Sequence, residues 1–117
     1  MPAVSPATVV RAQFDAYNAH DVDAFLSYYA PDAVIVEPDG QVTEQGHDAL
    51  RDTFTDLFAR MPQLRAEYRA EISVGQWVAI HSVVPNWTMA DGSVEQREWI
   101  EVYRVADGKI TQLRLYR

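Results

Sequence analysis

The stretch GHDALRDTFTDLFARMPQLRAEYRAEIS, residues 46–73, changes its hydrophobic period midway, and that change decides the fold. In the first half Leu50, Phe54, Leu57, Phe58 and Met61 recur at helical spacing and form one apolar stripe. Gly46-His47-Asp48 opens this helix and Pro62 closes it, because proline lacks the N–H a helix interior needs. Beyond it Leu64, Ala66, Tyr68, Ala70 and Ile72 alternate with Arg65, Glu67, Arg69, Glu71 and Ser73. A period of two with one polar face predicts a half-buried strand. Helices therefore come before this point and strands after it.

Toward the N-terminus, residues 6–19 predict a helix with a Ser5 cap, Pro6 at an early position and Val10, Phe14 and Tyr17 on one face. Asn18-Ala19-His20 ends it. Asp21 caps a second short helix whose face is Phe25, Leu26 and Tyr29, stopped by Pro31. Val34-Ile35-Val36 reads as a buried strand, ended by the turn Glu37-Pro38-Asp39-Gly40. Toward the C-terminus, strands are predicted over about 77–90, 94–105 and 109–117, with turns at Gly75, Asp91-Gly92 and Asp107-Gly108. Three helices, one early strand and a four-stranded antiparallel meander make an α+β plan. Helices laid across a strongly curved sheet would enclose a cone-shaped apolar cavity.

Two acids stand inside apolar strands. Glu37 ends the first one, at the rim of an apolar interior where desolvation raises a carboxyl pKa and suits it to proton transfer. Glu101 is embedded in Trp99-Ile100-Glu101-Val102-Tyr103. If Asp91-Gly92 is a two-residue loop, Ala90 pairs with Ser93. Glu101 then lies opposite Ser82, Trp99 opposite Val84 and Arg97 opposite Asn86. If Val105 pairs with Lys109, Glu101 opposes Leu113. The face of Glu101 is then Ser82, Val84, Trp99, Tyr103, Leu113 and Leu115, a dry setting for a carboxylate. A one-residue slip would reverse the assignment. Tyr17, Asn86 and Trp99 are candidate pocket residues, with Asn86 orienting a substrate oxygen. The bland reading of each acid is an ion pair or hydrogen bond, with Arg97 or Arg114 the partners for Glu101.

The opposite sheet face would carry His81, Val83, Pro85, Trp87, Ile100 and Val102. Such an apolar surface predicts an interface, here a twofold homodimer.

Composition removes other classes. The chain has 117 residues, enough for one domain spanning 1–117 with a single core. Zero cysteines exclude disulfides and thiol nucleophiles, and fit a cytoplasmic protein. Ten basic against seventeen acidic residues, a net charge of −7, argue against nucleic acid and anionic membranes as partners. No apolar run is long enough for a transmembrane helix, and Met1–Pro6 lacks the basic-then-apolar pattern of a signal peptide. His20, His47 and His81 lack zinc-site spacing, so no metal is expected. No serine has a nucleophile-elbow context, and there is no glycine-rich phosphate loop.

Asn18-Ala19-His20-Asp21, Tyr29-Ala30-Pro31-Asp32-Ala33, Glu37-Pro38-Asp39-Gly40, Gly46 before the third helix and the closing hairpin carry a resemblance across nearly the whole chain. It resembles the SnoaL-like and ketosteroid-isomerase-like branch of the nuclear transport factor 2-like superfamily. The resemblance implies a cystatin-like cone and dimerisation through the sheet. It also implies roles by position. Glu37 falls where steroid isomerases carry their general base, and Glu101 where they carry a protonated acid that donates to the enolate oxygen. Their oxyanion tyrosine falls at Gln13, which has no phenol to offer; Tyr17, one turn later, is the substitute.

Two functional classes follow. One is a cofactor-independent acid–base enzyme of isomerase, cyclase or dehydratase type, acting on a small hydrophobic carbonyl compound. Glu37 would be its base, Glu101 its oxyanion donor, and Tyr17, Asn86, Trp99 and Gln13 would contact the substrate. The other is a non-catalytic module that binds an apolar ligand or a partner. Epoxide hydrolysis is a further alternative, requiring an acid–arginine–acid relay through Arg97.

Overall fold

The computed structural model describes residues 5–116. Residues 1–4, most of the segment read for a signal peptide, and Arg117, the last residue of the expected final strand, lie outside this range. Helix α1 spans Pro6–Asn18, with the Ser5 hydroxyl accepting from the Thr8 N–H at 3.3 Å. Helix α2 spans Val22–Ser27, and Asp21 accepts from the Ala24 N–H at 3.1 Å. Both caps satisfy amides that a helix start leaves without partners.

Tyr29 does not belong to α2 as expected. It opens strand β1, Tyr29–Val36, pairing with Ile110, whose N–H donates to the Tyr28 carbonyl at 2.8 Å. This long-range ladder takes the backbone that another helical turn would have used. Pro31 then lies where β1 breaks register, between Tyr29 and Val34, and no donor is demanded of it. An unanticipated short strand, β2, Val42–Gln45, folds back on β1. Helix α3 follows at Gly46–Arg60. The meander is β3 Glu67–Val74, β4 Trp77–Thr88, β5 Val94–Ala106 and β6 Lys109–Tyr116.

The six strands form one sheet in the order β2-β1-β6-β5-β4-β3, with β1 and β6 parallel and all other neighbours antiparallel. Helix α1 packs on β4, β5 and β6, and α3 on β1 and β2. Between helices and sheet lies the core, with Val10, Phe25, Leu50, Ile80 and Ile110 almost wholly buried. Among the described residues no helix is long and apolar enough to cross a membrane.

The hairpin registers differ from those expected, and the difference is informative. The β4–β5 loop has three residues, Ala90-Asp91-Gly92. The Met89 N–H donates to Ser93 at 2.8 Å, and Gly92 takes the φ of +87° that such a loop requires. A bulge between Val84 and Trp87 adds a second one-residue displacement. Glu101 therefore pairs with Ile80, Trp99 with Ser82 and Arg97 with Val84. In the β5–β6 hairpin, Asp107-Gly108 is a two-residue turn between Ala106 and Lys109, and a bulge lies between Arg104 and Val105. Glu101 pairs with Leu115, and Tyr103 with Leu113. Each hairpin is displaced by two residues in total. Two is the period of a strand, so the side-chain faces are preserved.

Candidate functional site

The inner face of β4–β6 and the helices enclose a cavity of about 410 Å³, a common size for small-molecule sites. Its walls are largely aromatic. Phe14 and Tyr17 enter from α1, Phe25 from α2, Phe54 from α3, and Trp87, Trp99 and Tyr103 from the sheet. The Tyr17 ring packs against Phe25, Phe54 and Phe58 at centroid distances of 6.2, 6.2 and 5.3 Å. Trp87 and Trp99 meet edge to face at 5.9 Å, and the Arg97 guanidinium lies 5.1 Å from the Trp87 ring centroid. Arg97 also pairs with Glu95 at 2.7 Å.

Glu101 is the buried carboxylate of this cavity, with only 8% of its surface exposed. Strand alternation puts Trp99, Glu101 and Tyr103 on one face, and both neighbours bond to the acid. The Trp99 indole N–H donates to Oε2 at 2.5 Å and the Tyr103 hydroxyl to Oε1 at 2.5 Å. Burial raises the pKa of Glu101, because desolvation penalises the charged form. The bonds from Tyr103 and Trp99 pull the other way, since they favour the anion. Behind Tyr103 sits Gln13, 2% exposed, whose Nε2 donates to the Tyr103 oxygen at 3.2 Å and whose Oε1 accepts from the Tyr29 hydroxyl at 3.0 Å.

Tyr17 lines the same cavity, and its hydroxyl has no hydrogen-bond partner among the described residues. Burial raises its pKa, with the charge of Glu101 adding to the effect, so the phenol keeps its proton at neutral pH. An unspent donor facing an apolar cavity is available to a ligand oxygen.

The structure brings Glu101, Tyr17, Trp99 and Gln13 together and leaves Glu37 and Asn86 out. Glu37 is half-buried in the turn after β1 and is not among the residues lining the cavity; its backbone N–H donates to Gln41 at 2.9 Å. Strand β1 ends at Val36, so Glu37 belongs to the turn and strand alternation does not direct its side chain inward. Asn86 and Trp87 exchange their expected faces. The bulge at Pro85-Asn86 inserts one residue, so Trp87 joins the cavity wall while Asn86 donates to the Gln63 carbonyl at 2.7 Å. Tyr103 and Tyr29 were not among the expected site residues. The alternation Trp99-Ile100-Glu101-Val102-Tyr103 carried the signal for the first; nothing local marked the second.

The histidines are spread over the fold. His20 stacks on Phe58 at 4.4 Å and bonds the Leu64 carbonyl, His47 bonds the Tyr29 carbonyl, and His81 pairs with Glu98.

Residues 10–113 match the SnoaL-like domain family. The chain belongs to that family. An uncharacterized cystatin-fold protein from Novosphingobium aromaticivorans is 32% identical to this SnoaL-like chain, covers 97% of it and 99% of its own length, and superposes with a TM-score of 0.89. A SnoaL-like protein of unknown function from Burkholderia thailandensis is 26% identical, covering 94% and 92%, with a TM-score of 0.75. TerC, co-crystallised with polyporic acid, shares the fold at 19% identity, covering 96% and 91%, with a TM-score of 0.82. No curated protein matches the chain. The expected cystatin-like α+β architecture is thus the architecture of this SnoaL-like domain.

Proposed function

We propose that this SnoaL-like domain is an acid–base catalyst in which Glu101 moves a proton on a small, ring-bearing carbonyl compound. The observation that carries the reading is a buried carboxylate lining an aromatic cavity, with one donor on each oxygen. The donors orient the carboxylate and burial raises its basicity, the combination a general base near neutral pH needs. Glu101 takes a proton from the carbon beside the substrate carbonyl, and the electron pair moves onto the carbonyl oxygen. Tyr17 donates a hydrogen bond to that enolate oxygen. Return of the proton to another carbon gives an isomer; attack of the enolate carbon on a second carbonyl of the same molecule closes a ring. This assignment gives Glu101 the role of base and Tyr17 that of oxyanion donor, and leaves Glu37 outside the chemistry. Aromatic walls favour ring-bearing substrates, and TerC, a protein of the same fold, has been co-crystallised with polyporic acid.

The test is deuterium exchange. β-Tetralone and an aryl-substituted 1,3-diketone are incubated with the protein in D2O, and loss of the α-proton signal is followed by NMR. Exchange above the buffer rate, lowered about 10²- to 10⁴-fold in Glu101→Gln, is the expected result. Binding of both compounds with no exchange would leave the domain a small-molecule binder.

We further propose that two copies associate through the outer sheet face. Val83 is buried and Trp87 turns inward, so the patch differs from the expected one. Ile72, Val74, Trp77, Ile100 and Tyr116 instead form an exposed apolar surface across β3–β6, with Ile72 and Val74 each 68% accessible.

A further inference from the structure

Gln13 is a buried amide whose hydrogen bonds connect three elements of the fold. Its orientation is settled by its own helix. Nε2 donates to the Val10 carbonyl at 3.2 Å, and a carbonyl can only accept, so the nitrogen and not the oxygen must face that way. The same nitrogen donates its other proton to the Tyr103 oxygen at 3.2 Å, while Oε1 accepts from the Tyr29 hydroxyl at 3.0 Å. Each partner therefore has a forced direction.

The consequence lies one bond further on. A phenol has one proton to donate. With its oxygen already receiving the Gln13 N–H, Tyr103 aims that proton at Glu101 Oε1, 2.5 Å away. On the other side the indole of Trp99 is a donor only. A phenol without the Gln13 bond could turn round and accept a proton from the acid instead. We infer that Gln13 is a positioning residue that makes Tyr103 a one-way donor, so that Glu101 is held as a proton acceptor toward the cavity. This rests on the proposed role of Glu101 as base and adds how the fold enforces it from helix α1.

Other titratable groups around the cavity do not supply this polarity. Tyr17 of α1 has no hydrogen bond to Glu101, and Arg97 of β5 is paired with Glu95. Glu98 of β5 is paired with His81, and the hydrogen-bonded route from Tyr29 of β1 to the acid passes through Gln13 and Tyr103. Helices α2 and α3 and strand β6 contribute only apolar side chains to the lining, and β4 contributes Trp87.

The experiment follows the Glu101 carboxyl-carbon signal with pH in the unaltered protein, Gln13→Met, Tyr103→Phe and the double variant. Each single substitution is expected to move the Glu101 midpoint upward. Gln13→Met is expected to add nothing once Tyr103 is Phe, because its effect passes through that hydroxyl. An equal upward shift in both backgrounds would assign Gln13 to packing and overturn the inference, as would no shift in either. A measurement on the unaltered protein stands beside the variants. The Gln13 side-chain amide protons should exchange slowly with water and shift as Glu101 titrates; free exchange and no shift would also overturn it. None of these readouts needs a substrate. Loss of the titration coupling sinks the positioning role alone, and failure of deuterium exchange sinks the reaction alone.

Discussion

Trp99 and Glu101 stand two residues apart on β5 and are joined side chain to side chain, the indole N–H meeting Oε2 at 2.5 Å. A strand returns every second side chain to the same face, so this contact needs no folding partner to bring it together. Replacing the indole by a ring without a donor separates packing from hydrogen bonding. Trp99→Phe should leave the fold intact, raise the Glu101 titration midpoint and move the acid limb of any pH–rate profile upward with it. A carboxyl-carbon titration and a kcat/KM profile check the two effects together.

Burial also makes stability depend on pH in a definite direction. The folded state binds the Glu101 proton more tightly than the unfolded chain does. Its stabilising contribution is therefore complete below the unfolded glutamate value of about 4.3, and is lost as pH rises through the raised folded value. Melting temperatures of the unaltered protein and Glu101→Gln across this range should show the difference between them falling as pH rises. A difference that grows with pH would contradict the sign.

Tyr17→Phe removes a hydroxyl that bonds to nothing in the described structure, so stability should change little. If that hydroxyl meets the enolate oxygen, turnover should fall by about a hundredfold, the scale of losing one donor to a developing oxyanion. Comparing thermal midpoint with exchange rate in the same preparation distinguishes a site role from a packing role.

Ile100→Glu and Ile72→Glu place charge in the exposed apolar surface without touching the cavity. Sedimentation is expected to show a dimer for the unaltered chain and a monomer for the double variant. A dimer that persists would move the interface elsewhere.

Local signals were readable from the sequence where they did not depend on distant strands. The α3 stripe and the Ser5 and Asp21 caps need only a few neighbouring residues, and they stand as read. The inner face around Glu101 was legible for a subtler reason: loop length and bulge each displaced the register once, and the two displacements together restored parity. Between the turn and the bulge, where the loop's displacement acts alone, the faces came out reversed, and Trp87 points inward. Strand β2 left no mark because its four residues are mostly exposed and carry no alternating apolar pattern. The link from Tyr29 through Gln13 to Tyr103 joins residues far apart in the chain, and only their packing in three dimensions makes it visible.

The bulge at Pro85-Asn86 has one more effect. Strand β3 follows β4 only as far as the pair Glu67–Val83, so the last residues of β4 have no strand beside them on that edge. A strand edge is a template on which another chain can add and aggregate. Here the Met61–Gln63 segment covers it, with the Thr88 N–H on the Met61 sulfur and the Asn86 amide on the Gln63 carbonyl. Pro85, with no N–H to offer, interrupts the ladder at the same place. The kink that turns Trp87 toward the ligand space thus also closes the sheet to unwanted growth.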